Sequence, residues 1–175
     1  MQADLTPVIR SGGGGVHLPY VKDPRLEDVR RQHRKVLEAV ARLESALGRE
    51  ASASNAHGGD GPVLAALGKF LDFYESTLEP LMRSEEQHVY PLLDRYLPRE
   101  IGSTAVMLRE HETIRGLASM LRTSCTRMRQ GASEAKSDVA VLAQDLTLLL
   151  RDHVRKEDGV IHPLLERLLR QGSRD

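Results

Sequence analysis

The sequence predicts an all-α protein, an antiparallel up-down four-helix bundle preceded by an N-terminal arm. Three observations predict it. Apolar residues recur at three- and four-residue spacing in four separate segments, and no stretch alternates polar and apolar residues for long enough to make a strand. The second and fourth segments also repeat one another 72 residues apart. Such a repeat makes two helical hairpins, and two hairpins bury their apolar stripes by closing into a bundle.

Residues 1–22 carry Pro7, Pro19 and the run Gly12 to Gly15, and they read as a flexible arm. Asp23 and Pro24 open the first helix, Asp as N-cap and Pro where a missing N–H costs nothing. Leu26, Val29, Val36, Leu37, Val40, Leu43 and Leu47 form its buried stripe, and His33 falls on that stripe. Gly48 to Pro62 is rich in Gly and small residues, which predicts a loop with His57 exposed in it. The second helix is expected from Pro62 to Leu97, where Pro80 and Pro91 each remove a backbone donor and predict a bend or break. The third runs from Ser103 to Arg129, carries His111 and stops at Gly131. The fourth begins at Ser133 or Ser137 and reaches Leu169, with interruptions at Gly159 and Pro163. Residues 171–175 form a tail, so one bundle domain occupies 23–170, as the length of 175 residues allows.

Composition narrows the function. Lys plus Arg number 25 and Asp plus Glu number 25, and there are two Phe, four Tyr and no Trp. A neutral, aromatic-poor chain has neither the charge to hold a polyanion nor the rings to stack bases, so no nucleic-acid partner is expected. The apolar run Val139 to Leu150 is broken by Gln144, Asp145 and Thr147, far short of the ~20 residues that span a bilayer. No membrane association is expected. Asp4 and the glycine run stand where a signal peptide places its apolar segment. A single cysteine, Cys125, permits no intrachain disulfide or thiolate cluster, which fits a reducing cytoplasm and leaves His and carboxylate as metal donors.

The repeat pairs L-M-R-S-E-E-Q-H-V-Y-P-L-L-D-R-Y-L from Leu81 with H-V-R-K-E-D-G-V-I-H-P-L-L-E-R-L-L from His153. A weaker match sets R-Q-H-R-K-V beside R-E-H-E-T-I and so aligns His33 with His111. His153 and Glu157 are four apart and share one helical face. With His33, Glu85 and His111 they give three imidazoles and two carboxylates drawn from all four helices, a set suited to iron and able to hold zinc or manganese. By size and isolation Met107 and Cys125 read as core residues.

Over residues 24–169 the sequence resembles the hemerythrin-like family, the HHE cation-binding domain. The resemblance rests on Q-H at 32 and 33, P-L-M-R-S-E-E-Q-H-V-Y-P from Pro80, E-H at 110 and 111, and H-V-R-K-E-D-G-V-I-H-P from His153, in order and at the family's spacing. It implies a non-haem iron centre with one or two irons per chain, typically two bridged by carboxylates, that handles dioxygen, nitric oxide or peroxide, or senses iron. Matching positions carry over His33, Glu85, His111, His153 and Glu157 as ligands. Asp158, five after His153, competes with Glu157 for the bridging role. Two departures stand out: Leu81 replaces the second helix's His, and Met107 replaces a His that oxygen carriers hold four before His111. Leu81 leaves the metal beside His33 short of a ligand. His88, three after Glu85, is the leading substitute and His162 a further candidate ligand; His162 and Tyr90 occupy equivalent repeat positions and could line the cavity where the family has Phe.

The main functional expectation is a cytoplasmic iron protein reacting with O2 or a related small oxidant. Its rivals are an iron-dependent oxidase or oxygenase of a small organic substrate, a non-catalytic iron sensor or interaction module, and a bundle without metal. Oligomeric state and any catalytic residue are not legible in the sequence.

Overall fold

The computed structural model describes residues 24–53, 60–96 and 103–172. The predicted arm, the Asp23 cap, His57 and residues 173–175 lie outside the described residues. Four helices follow in chain order: α1 (Pro24–Ala53), α2 (residues 61–94), α3 (Ser103–Arg129) and α4 (residues 135–172). They pack as a ring, α1 on α2, α2 on α3, α3 on α4 and α4 on α1. Short links between successive helices set neighbours antiparallel, giving the up-down bundle.

The stripe predicted for α1 faces the core: Leu26, Val29, Val36, Val40 and Leu43 are buried, and Leu37 and Leu47 are partly so. Leu67, Leu93, Ile114, Leu121, Leu146 and Leu150 fill the interior from the other three helices. Each such Leu or Ile contributes roughly 1.5–3 kcal/mol on burial, so aliphatic packing carries the fold. Met107 and Cys125 are core residues. Helix α3 stops where the sequence expects. Gly131 takes φ of +89°, and Ala132 N–H donates to the Arg127 carbonyl at 3.1 Å, closing a Schellman motif.

The helices run on through the prolines, where the sequence predicts a bend or break. Each is absorbed by a π-turn: Tyr74–Leu78 before Pro80, Glu85–Val89 before Pro91, and Glu157–Ile161 before Pro163. At each turn's end the N–H of the next residue donates five residues back, Glu79 to Tyr74, Tyr90 to Glu85 and His162 to Glu157. Widening the helix by one residue removes the demand for the proline's missing donor and gives its ring room. Gly159 lies inside the third π-turn and does not interrupt α4. Two of the three turns begin at Glu85 and Glu157.

Candidate metal centre

A π-turn changes which residues share a face with its first residue. On an α-helix the residue four after Glu85 or Glu157 lies above it, but the extra residue hands that place to the one five after. Tyr90 and His162 are therefore turned inward and buried, and His88 is turned out. His88 is exposed, with Nδ1 3.0 Å from the Ser84 carbonyl of its own helix. It does not fill the vacancy at Leu81, because the i,i+3 neighbourhood expected of an α-helix does not exist across this turn.

The other predicted residues are brought together. His33, Glu85, His111, His153 and Glu157 are each no more than 2 % exposed. Glu85, His111, His153 and Glu157 offer donor atoms that lie within 4.8 Å of one another. His33 Nε2 lies 3.1 Å from both Glu85 Oε1 and Glu157 Oε2, on the other side of the two carboxylates. Leu81, four residues before Glu85, is buried and brings no donor.

A set of outer carboxylates orients the rings. Glu86 Oε1 accepts from His111 Nδ1 at 2.8 Å, Glu110 Oε2 from His153 Nδ1 at 3.0 Å, and Asp158 Oδ1 from His33 Nδ1 at 2.9 Å. The outer acids are anchored in turn: Arg115 pairs with Glu86 at 2.9 Å, and Lys156 pairs with Glu110. Holding Nδ1 as the protonated nitrogen leaves Nε2 with its lone pair directed into the bundle, the arrangement that fixes metal-binding histidines. Asp158 thus orients His33 from outside the Glu85, His111, His153 and Glu157 group, and with His33 and His162 it makes a second group that could hold a metal ion. Its repeat mate Glu86 orients His111. No local pattern announces Glu86 or Glu110, since their histidine partners come from other helices.

Charges in this pocket are poorly balanced by protein groups alone. Burial and the charge of Glu157 push the Glu85 carboxyl up. Burial opposes ionisation of Glu157 as well, but its hydrogen bonding with His33 and the charge of that imidazole bring it down. Burial disfavours a charged His33, yet Asp158, Glu157 and Glu85 outweigh it and raise the imidazole to about 11. Burial and the neighbouring His153 lower His111, which keeps it neutral.

Three features fit a cation. His111 Nε2 and His153 Nε2 face each other at 3.0 Å, although each ring's Nδ1 proton is committed to a carboxylate. Two lone pairs so close repel unless a positive centre shares them. The Tyr90 hydroxyl has one proton for two acceptors, Glu157 Oε1 and His111 Nε2, so it does not relieve the pair. Glu157 Oε2 is fully buried and meets only imidazole nitrogens, His33 Nε2 at 3.1 Å and His153 Nε2 at 3.4 Å. A nitrogen and oxygen donor set of this kind suits iron, zinc or manganese.

An antiparallel four-helix bundle whose four helices send His and Glu side chains to one buried point is the architecture of a bundle-type cation-binding protein. The family comparison agrees: residues 25–165 match the Hemerythrin HHE cation binding domain, and the chain belongs to that family. No curated protein and no solved structure matched it in the corresponding comparisons.

Proposed function

We propose that this protein is a non-haem iron protein that reacts with dioxygen, nitric oxide or peroxide at the centre formed by His33, Glu85, His111, His153 and Glu157. The carrying observation is the convergence of the His111 and His153 Nε2 atoms on the two buried carboxylates, with each ring's Nδ1 tied back. When bound, iron supplies the electrons for reduction of an oxidant and the affinity for a diatomic ligand. The chain supplies everything else. Glu86, Glu110 and Asp158 keep the imidazoles in the metal-binding tautomer. Tyr90 holds a proton at Glu157 Oε1; burial and the charges of Glu157 and Glu85 push the phenol far above its ordinary range, so it stays protonated. The near-complete burial of the ligands excludes bulk water and strengthens every charge interaction inside.

A small ligand is favoured over an organic substrate. Two open grooves, one of about 880 Å³ along α1 and α2 and one of about 520 Å³ beside α1 and α4, are lined by none of the centre's residues. No helix among the described residues is long and apolar enough to cross a membrane. The buried, unpaired Cys125 supports a reducing cytoplasm as the place of action.

Metal content per chain after anaerobic purification, with optical spectra before and after admitting air, tests the reading. Stoichiometric iron and a new visible or near-ultraviolet band on air exposure are expected. Absence of bound metal, or iron that shows no response to air, nitric oxide or peroxide, overturns it.

A further inference from the structure

We propose that His162 supplies the nitrogen missing at Leu81, so that a second metal position is built from His33, His162, Glu85 and Glu157. The proposal rests on the iron-binding reading above and specifies its second half. It starts from an unpaired atom. His162 is fully buried, and its Nε2 has no hydrogen-bond partner. A buried ring nitrogen aimed at nothing is costly unless something is meant to bind it.

The ring is held as the accepted ligands are held. Its Nδ1 donates to Asp158 Oδ1 at 3.1 Å, and the same oxygen accepts from His33 Nδ1 at 2.9 Å. One carboxylate therefore faces the Nδ1 atoms of two imidazoles, with His33 Nε2 turned to Glu85 and Glu157 and His162 Nε2 left without a partner. The two rings stack at 5.5 Å between centroids with only 13° between their planes. His33 Nε2 already reaches Glu85 Oε1 and Glu157 Oε2 at 3.1 Å. Glu157 Oε2 meets only imidazole nitrogens, His33 Nε2 and His153 Nε2, and on the ring stacked against His33 the His162 Nε2 has no partner.

The repeat argues the same direction independently. Tyr90, 72 residues before His162, follows the matching π-turn and sends its hydroxyl to 3.2 Å from His111 Nε2. Its ring lies 5.5 Å from that of His111, the separation His162 keeps from His33. The position five after each inner Glu is thus buried against a histidine of the centre in both halves. In the first half it brings a phenol, in the second an imidazole. The chain has lost a nitrogen four residues before Glu85 and gained one five residues after Glu157.

Metal per chain, counted by elemental analysis after loading with ferrous iron and separately with zinc as a redox-silent probe, tests the proposal. Wild type is expected to hold two ions and His162→Phe one, with an unchanged far-ultraviolet circular-dichroism spectrum. Adding Leu81→His to His162→Phe should restore the second ion. His162→Gln keeps a side chain able to bond Asp158 without an imidazole; it gives the same count should the Phe variant fold poorly. One ion in wild type, or two retained in the folded His162 variants, overturns the proposal while leaving the iron reading intact. No ion in wild type overturns both.

Discussion

Tyr90 on α2 donates its hydroxyl proton to Glu157 Oε1 on α4, spanning the bundle from the residue that follows one π-turn to the residue that opens another. Removing that hydroxyl by Tyr90→Phe leaves a buried carboxylate oxygen without its donor. In the metal-free protein this should cost about 1–3 kcal/mol, read as a lowered urea midpoint. In the loaded protein the metal neutralises Glu157, so the loss should shrink and metal stoichiometry should persist. Loss of metal from Tyr90→Phe would mean that the phenol, not only the carboxylate, holds the ion.

The four helices and the convergence of five His and Glu residues were legible because both follow from periodicity: His33 lies on the α1 stripe, and the repeat matches Glu85 to Glu157 and His33 to His111. The ends of α3 were legible too, since Gly131 has a local reason to stop a helix. What the sequence hid was the π-turn. Proline rules predict a bend or break at Pro91 and an interruption at Pro163, and α-helical spacing then puts His88 beside Glu85 ahead of Tyr90 and His162. One added residue per turn reverses both statements. Glu110 was hidden for a different reason: its partners His153 and Lys156 are on another helix, so no local pattern announces the contact.

Glu85→Ala and Glu157→Ala should each abolish stoichiometric metal binding, because each carboxylate lies between His33 and the His111–His153 pair. His88→Ala is the matched control. Its ring is exposed and bonded to Ser84, so the iron content of that variant should equal that of wild type. Full occupancy in either Glu variant would remove that residue from the centre.

Glu110→Gln should weaken metal binding without touching a ligand. Glu110 Oε2 accepts from His153 Nδ1, and an amide turned to offer its NH2 no longer does so. The ring then loses its fixed tautomer and part of its basicity, a change that typically costs 10–100-fold in affinity. Competition with a chromophoric chelator measures it. Equal affinity in wild type and variant would show that Lys156 and Glu110 form only a surface pair.

The metal-free protein should lose stability at alkaline pH. His33 titrates at about 11 when folded, against 6.5 unfolded, so its contribution is complete below about 6.5 and is lost as pH rises toward about 11. Glu85, raised by burial and by the Glu157 charge, adds loss of the same sign above its unfolded value of 4.5. Burial opposes charge on Asp158, but hydrogen bonds from His162 and His33 hold it low, so its contribution is lost only as pH falls below 3.8. Denaturant midpoints of the metal-free protein should therefore fall between about pH 7 and 10. Loaded protein should show a flatter profile, since metal ions take the place of the protons. A metal-free profile with no alkaline loss would show that His33 is neutral in the fold.

Leu81→His should have opposite effects on the two forms of the protein. Leu81 stands four residues before Glu85 as His153 stands four before Glu157, so an imidazole there lies on the face of the inner carboxylates. Without metal, the change replaces a buried aliphatic group with a polar ring that has no built-in carboxylate of the Glu110 kind, which should cost about 1–3 kcal/mol. With metal, the ring adds a nitrogen beside His33, so release of the ion held there to an excess of chelator should slow. The metal count itself should not change if His162 already completes that position. Comparing the urea midpoint of the chelated variant with the rate of metal release from the loaded one separates the two effects. A variant that is destabilised in both forms would mean that residue 81 faces the aliphatic core and not the metal.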